Sequence, residues 1–251
     1  MMVLEDINCN EHAGVNRNMR EFAYMGQGEP GFSYPQIRSA IKITDHVMKK
    51  LGQKVYRHII ATCGVTEMID LFCNDLKNKF FGDTRVTLHY SLHSTQMRKF
   101  LMPIDNIYPY TSVLKRILKI RRYCNEKPCV SILLFNNFKP SGENNIFNTD
   151  NEMINDIISI LNPNDFRISL CDFNEDKSLG TNEAFPFDKA SELESIFKNN
   201  GYETKLFASF GKKEDTGCGL LGGVKPNFLI GDSLKQHYFQ ALKLVNEYEN
   251  L

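Results

Sequence analysis

The sequence predicts an α/β fold, a partial (β/α) barrel built as a single domain. Three observations lead there. Short runs rich in β-branched and large apolar residues alternate with stretches whose apolar positions recur at helical spacing, the pattern of a mainly parallel sheet. The breaks between them are turns of Gly, Asn, Pro and Ser. Polar residues of chemical interest follow the strand-like runs, where barrels carry their binding loops.

The first strand is expected at residues 21–25, closed by a glycine turn at 26–31. A helix follows, with Ile37, Ala40, Ile41, Val47, Met48 and Leu51 at helical spacing. Residues 55–62 read as a strand stopped by Gly64, 65–76 as a helix and 85–92 as the third strand. Val113, Leu114, Ile117 and Leu118 make the apolar stripe of the next helix, whose other face carries Lys115, Arg116, Lys119, Arg121 and Arg122. Residues 130–135 form a buried-strand run, and 136–151, full of Asn, Gly, Pro and Ser, a long loop. Met153, Ile154, Ile157, Ile158 and Leu161 mark a helix that Asn162-Pro163 ends. A strand over 166–173, a helix over 187–198 and a strand over 202–210 come next, with Asn200-Gly201 dividing the last two. The final helix covers 232–248, N-capped by Asp232 or Ser233.

At 251 residues, 42% apolar and 24% charged, the chain is long enough to bury a full core. No apolar run is long enough to span a membrane, and residues 1–10 lack the apolar stretch of a secretory signal. A cytoplasmic location is the expectation. Seven cysteines, an odd number with no Cys-x2-Cys pair, argue against a disulfide framework and for small buried thiols. Thirty Lys and Arg balance thirty Asp and Glu. Dedicated RNA binders are usually basic, so neutrality counts against a strong autonomous RNA-binding surface while allowing a local basic patch.

Several positions carry chemistry. Gly28-Glu29-Pro30 is a turn that lets backbone approach a ligand closely, with Glu29 able to accept hydrogen bonds from an ammonium group. The plain alternative is a strand-to-helix turn with a solvated glutamate. Ser91-Leu92-His93 closes a strand with a hydroxyl and an imidazole, both able to bond a ribose or carboxylate. Asn174 follows a later strand. Cys218 lies in Gly217-Cys218-Gly219, where small neighbours leave a thiol accessible.

In order, Tyr24-Met25-Gly26-Gln27-Gly28-Glu29-Pro30, Ser91-Leu92-His93, Leu101-Met102-Pro103-Ile104 and Thr216-Gly217-Cys218-Gly219-Leu220-Leu221-Gly222-Gly223 resemble the radical S-adenosylmethionine (SAM) RNA methyltransferases of the RlmN/Cfr type. Those enzymes methylate carbon 2 or carbon 8 of an adenine. The resemblance runs from about Gly14 to Gly223. It implies SAM and a [4Fe–4S] cluster as cofactors, rRNA or tRNA as partner and no membrane. It also implies SAM contacts at Gly28, Glu29, Ser91, Leu92, His93 and Asn174, with Cys218 as the catalytic methyl acceptor. By the same resemblance residues 1–18 are a remnant of the cluster-loop region, 19–230 the radical SAM type of partial barrel and 231–251 the C-terminal helix. The oligomeric state is left open.

The chain also departs from the pattern. The family's Cys-x3-Cys-x2-Cys motif should precede Gly14-Val15-Asn16-Arg17-Asn18-Met19, and only Cys9 stands there, so no metal ligands are assigned. Ala61 replaces a serine that contacts SAM, Glu175 replaces a proline after Asn174, and Phe207-Ala208-Ser209-Phe210 replaces a basic stretch. The expectation is a truncated methyltransferase-like protein, inactive as written. The alternative is a non-catalytic SAM- or RNA-binding relative without the cluster.

Overall fold

The structure, a computed structural model, describes residues 19–25, 28–124, 126–134, 149–172 and 189–207. Six strands form one sheet: β1 (Met19–Tyr24), β2 (Lys54–Thr62), β3 (Val86–Ser91), β4 (Cys129–Leu134), β5 (Arg167–Asp172) and β6 (Thr204–Phe207). They lie in chain order, each parallel to its neighbours. Every crossover therefore moves one place along the sheet, the winding of a partial (β/α) barrel.

The helices are α1 (Tyr34–Lys50), α2 (Thr66–Lys77), the short α3 (Arg98–Leu101), α4 (Tyr110–Ile120), α5 (Asn151–Ile160) and α6 (Ala190–Asn199). Two 3-10 turns, Pro30–Ser33 and Pro103–Asn106, complete the described elements. Alternate strand residues Ile60, Leu88, Tyr90, Val130, Ile132, Ile168 and Leu170 face the helices. There they meet Ile41 of α1, Met68, Ile69 and Phe72 of α2, Val113 and Ile117 of α4, and Ile154 and Ile157 of α5, in one continuous core. The intervening residues make a polar opposite face. On it His89, Cys129 and Arg167 lie side by side in register, with Arg167 donating to His89 Nε2 at 3.0 Å.

A buried histidine ties α1 to the sheet. His58 Nε2 lies 2.8 Å from Asp45 Oδ1, and the Tyr24 hydroxyl lies 3.0 Å from Nδ1. Asp45 also accepts from Thr84 at 2.6 Å, so one helical carboxylate reaches groups from β2 and from the turn before β3. A buried imidazole with both nitrogens bonded avoids the cost of unpaired polar atoms.

Two residues expected on apolar stripes lie outside them. Leu51 follows the last residue of α1 and is 37% exposed, because the helix ends at Lys50 and the chain turns. Leu118 is 40% exposed while Ile120 is fully buried, so the inward face of α4 is Val113, Leu114, Ile117 and Ile120. That set follows helical spacing more closely than the four residues read from the sequence. The expected loop ends earlier than read: Asn151 already opens α5, whose cap is Asp150, accepting from Met153 N at 2.7 Å. The expected helix at 232–248 lies outside the described residues, as do residues 208–210 of the last strand.

Candidate functional site

The C-terminal ends of β1 to β4 are joined by one hydrogen-bond chain, and the predicted motifs form its links. It begins at the turn after β1. Gly28 has φ 78°, a left-handed conformation that glycine adopts without strain, and it is exposed. Glu29 then caps the Pro30–Ser33 turn, its Oε1 accepting from Gly31 N at 2.9 Å.

The same carboxylate reaches the end of β2. Thr62 donates its hydroxyl to Oε1, and Cys63 N donates to Oε2 at 2.8 Å. Three donors take three of roughly four lone-pair directions on a carboxylate. Glu29 is therefore a structural clamp as well as a negative charge at the rim. Burial first, and the Glu29 carboxylate second, push the Cys63 thiol up to about 12. Gly64 follows with φ 113°, and a Cβ there would lie 2.9 Å from Tyr90 Cε2. The backbone after β2 passes too close to β3 for any side chain.

Arg98 joins β2 to β3. Its side chain is fully buried, and it donates to Cys63 O at 2.7 Å, Ser91 O at 2.5 Å and Leu92 O at 2.7 Å. Its Nε donates to Asp105 Oδ1 at 2.9 Å, and its guanidinium lies 4.8 Å from the centre of the Tyr90 ring. Asp105 also accepts from Tyr110 N at 2.7 Å, which anchors the start of α4. A buried guanidinium is tolerable because four contacts and one counter-charge satisfy it.

The Ser91-Leu92-His93 motif divides into three roles. Ser91 ends β3 beside Ser131 in register, on the polar face of the sheet. The Leu92 side chain is fully buried in the core, while its backbone carbonyl holds Arg98 and its N–H donates to Ser131 O at 3.0 Å. His93 has φ 60°, unusual for a residue with a Cβ. That turn brings Nδ1 to 3.0 Å from Leu133 N, which donates to it and ties the motif to β4. Nε2 then carries the imidazole proton. Burial, with a smaller push from the Arg98 guanidinium, lowers the His93 pKa to about 4, so the ring stays neutral near pH 7.

Gly28, Glu29, Ser91, Leu92 and His93 are thus drawn together along one rim, while Asn174 and Cys218 lie outside the described residues. Ala61 sits on the polar face of β2 in register with His89. Sequence reasoning missed Arg98 and Asp105 as members of the rim.

The described residues contain no group of three His, Cys, Asp or Glu able to hold a metal ion, and no helix long and apolar enough to cross a membrane. Iron–sulfur clusters are held mainly by Cys thiolates, so these residues do not fit one.

No protein-family model matches the chain. A probable dual-specificity RNA methyltransferase RlmN of Petrotoga mobilis is 30% identical over 130 residues, covering 50% of this chain and 35% of that protein. The dual-specificity RNA methyltransferases RlmN of Buchnera aphidicola and Alcanivorax borkumensis are 23% and 24% identical, covering 85% and 96% of this chain but 55% and 58% of theirs. The chain thus spans about half the length, or less, of these curated relatives. In structure it is similar to a radical SAM methyltransferase from Sphaerobacter thermophilus, with a TM-score of 0.70 and 18% identity over 87% of this chain and 59% of the other. The motif order, the parallel half-barrel and these likenesses agree: the chain is similar in sequence to RlmN-type RNA methyltransferases over about half their length or less, and it has the fold of a radical SAM methyltransferase.

Proposed function

We propose that the protein is the SAM- and RNA-handling barrel of an RlmN-type methyltransferase that acts on an adenine of rRNA or tRNA in the cytoplasm. One observation carries this reading. The turn carboxylate of Glu29 is locked to the end of β2 through Thr62 and Cys63, on the rim where Ser91 and His93 close β3. A fixed anion beside a strand-end hydroxyl and a neutral imidazole suits a ligand with an ammonium at one end and a ribose at the other. SAM is such a ligand, and when bound it supplies a methyl group.

The chain's own residues then have distinct tasks. Glu29 pairs with the ammonium while keeping its bonds to Thr62 and Cys63. By resemblance Ser91 and His93 contact ribose or carboxylate oxygens. Arg98 positions rather than binds, since its donors are spent on backbone carbonyls. By resemblance Cys218 is the methyl acceptor and Asn174 a further SAM contact. The cluster has no place among the described residues, so no step is drawn through it.

Calorimetry with SAM tests the reading. Glu29→Gln keeps the size and one carbonyl acceptor but removes the charge, so SAM affinity should fall about tenfold or more, the worth of a hydrogen bond to a charged group. Equal affinity in the two proteins would remove Glu29 from the site and the reading with it.

A further inference from the structure

The helix layer carries a segregated charge pattern that the strand-end site does not use. Between Asn106 and Asn125 the chain has five cations, Lys115, Arg116, Lys119, Arg121 and Arg122, and no acidic residue, although it is neutral as a whole. In the structure they separate into two groups. Arg116 is engaged, donating to Asp70 of α2 at 3.1 Å and to Ser112 at 2.8 Å. Arg121 donates to Cys124 O at 2.9 Å, closing the end of α4. Lys115, Lys119 and Arg122 are exposed and form no ion pair among the described residues.

These three are spaced i, i+4 and i+7, so they line one face of α4 and the turn that extends it. At 1.5 Å per residue the stripe is about 10 Å long, comparable with a few successive phosphates of a nucleic-acid strand. Lys77, exposed at the end of α2, joins it: after burial and the Asp70 carboxylate, Lys119, Lys77 and Arg122 all bear electrostatically on the Cys73 thiol of α2. Tyr123, 45% exposed, offers an aromatic ring beside the cations. Cations late in a helix also offset its dipole, but the effect is confined to the last turn, which holds Lys119 and is followed by the capping Arg121. Lys115 lies more than one turn from the end of α4.

We propose that Lys77, Lys115, Lys119 and Arg122 form a docking stripe for the phosphate backbone of the RNA, on the outer helical face and away from the strand-end rim. This deepens the RNA methyltransferase reading and rests on it for the identity of the polyanion. The stripe positions the RNA through its charge and reads no base.

The test is fluorescence anisotropy of the full chain with a short labelled RNA hairpin that has no adenine in its loop, titrated at several salt concentrations. Lys115→Gln/Lys119→Gln/Arg122→Gln should lower the slope of log Kd against log salt by about 2 and weaken binding at least tenfold near 0.1 M salt. Lys115→Arg/Lys119→Arg/Arg122→Lys preserves charge and should bind as the parent does, which separates lost charge from lost structure. Lys49→Gln/Lys54→Gln, on another face, should change the slope by less than half as much. An unchanged slope in the triple glutamine variant, or no binding by the parent at low salt, overturns the proposal. So does a variant that keeps RNA binding but loses binding to phosphatidylserine vesicles, which would make the stripe a membrane contact. Methyl transfer and SAM affinity are not read, so the stripe can fail while the strand-end assignment stands.

Discussion

Arg98 and Asp105 form a fully buried ion pair, Nε to Oδ1 at 2.9 Å, that fixes the ends of β2 and β3 relative to each other. The pair is seven residues apart in sequence, yet its other partners are Cys63, Ser91, Leu92 and Tyr110. Removing one charge strands the other in the core. Asp105→Ala should therefore destabilise the protein by about 3–5 kcal/mol in urea unfolding. Arg98→Lys keeps the charge but not the planar fork that serves three carbonyls and a carboxylate, and should cost about 2–3 kcal/mol. A loss below about 1 kcal/mol for both would show the guanidinium is dispensable to the rim.

The Glu29 carboxylate and the Cys63 thiol are coupled, and alkylation reports on it. Burial is the larger reason that Cys63 stands near 12, so its thiol should react little with iodoacetamide at pH 8. Glu29→Gln removes the second cause, so the alkylation profile of the Cys63 peptide should shift to lower pH while staying above that of a free cysteine. An unshifted profile would place Glu29 away from Cys63 in solution.

Histidine protonation should govern acid stability. His93 and His89 are held at about 4 and about 3, below the ordinary histidine value, mainly by burial and also by arginines: Arg98 for His93, Arg167 and Arg57 for His89. A depressed histidine means the unfolded chain binds more protons, so stability rises with pH across that interval. Full stability is present above about pH 6.5, and each ring should contribute up to one proton of slope between pH 6.5 and 4. His93→Gln should flatten that slope in urea titrations at fixed pH steps. An identical slope would show that His93 is already exposed to solvent.

Gly64 reaches φ 113°, and an added Cβ would press on Tyr90 and Val113 at 2.9 and 3.0 Å. Gly64→Ala combines backbone strain with overpacking and should cost about 2–4 kcal/mol by thermal or urea unfolding. Gly28 also has a positive φ but nothing near its Cβ position, so Gly28→Ala should cost clearly less. Equal costs would mean that the close approach of the β2 end to Tyr90 is absent in solution.

The inner strands were legible in the sequence because they bury one face on a helix layer, and that constraint writes runs such as Cys129–Leu134 directly into composition. Helix faces were less legible at their ends: Leu118 and Ile120 are both apolar, and only packing against α2 decides which turns inward. Glu29 and His93 were singled out because turn glycines and strand-end polar residues are local signals, and both take part in the hydrogen-bond chain at the strand ends. Arg98 was not, since its partners come from three separate segments and no spacing rule links position 63 to position 98. The positive φ of His93 was likewise invisible, and it accompanies a bond from Leu133 N on the neighbouring strand.

The 251-residue chain alone should not methylate RNA, even with SAM and the hairpin bound. The radical chemistry of the resembled enzymes needs an electron delivered from a cluster with one open iron, and such a cluster needs three protein thiolates. The sequence contains no Cys-x3-Cys-x2-Cys. Among the described cysteines, Cys63 and Cys129 are both raised to about 12, chiefly by burial, which disfavours the thiolate that binds iron. Cys73 and Cys124 are also raised, and none of them belongs to a metal-sized group. Anaerobic incubation with iron, sulfide, SAM, a reductant and protein-free ribosomal RNA, followed by mass spectrometry of the nucleosides, should yield no methyladenosine and far fewer than four irons per chain. Methyladenosine that disappears in Cys218→Ala would show that thiols read here as packing residues assemble into a working cluster.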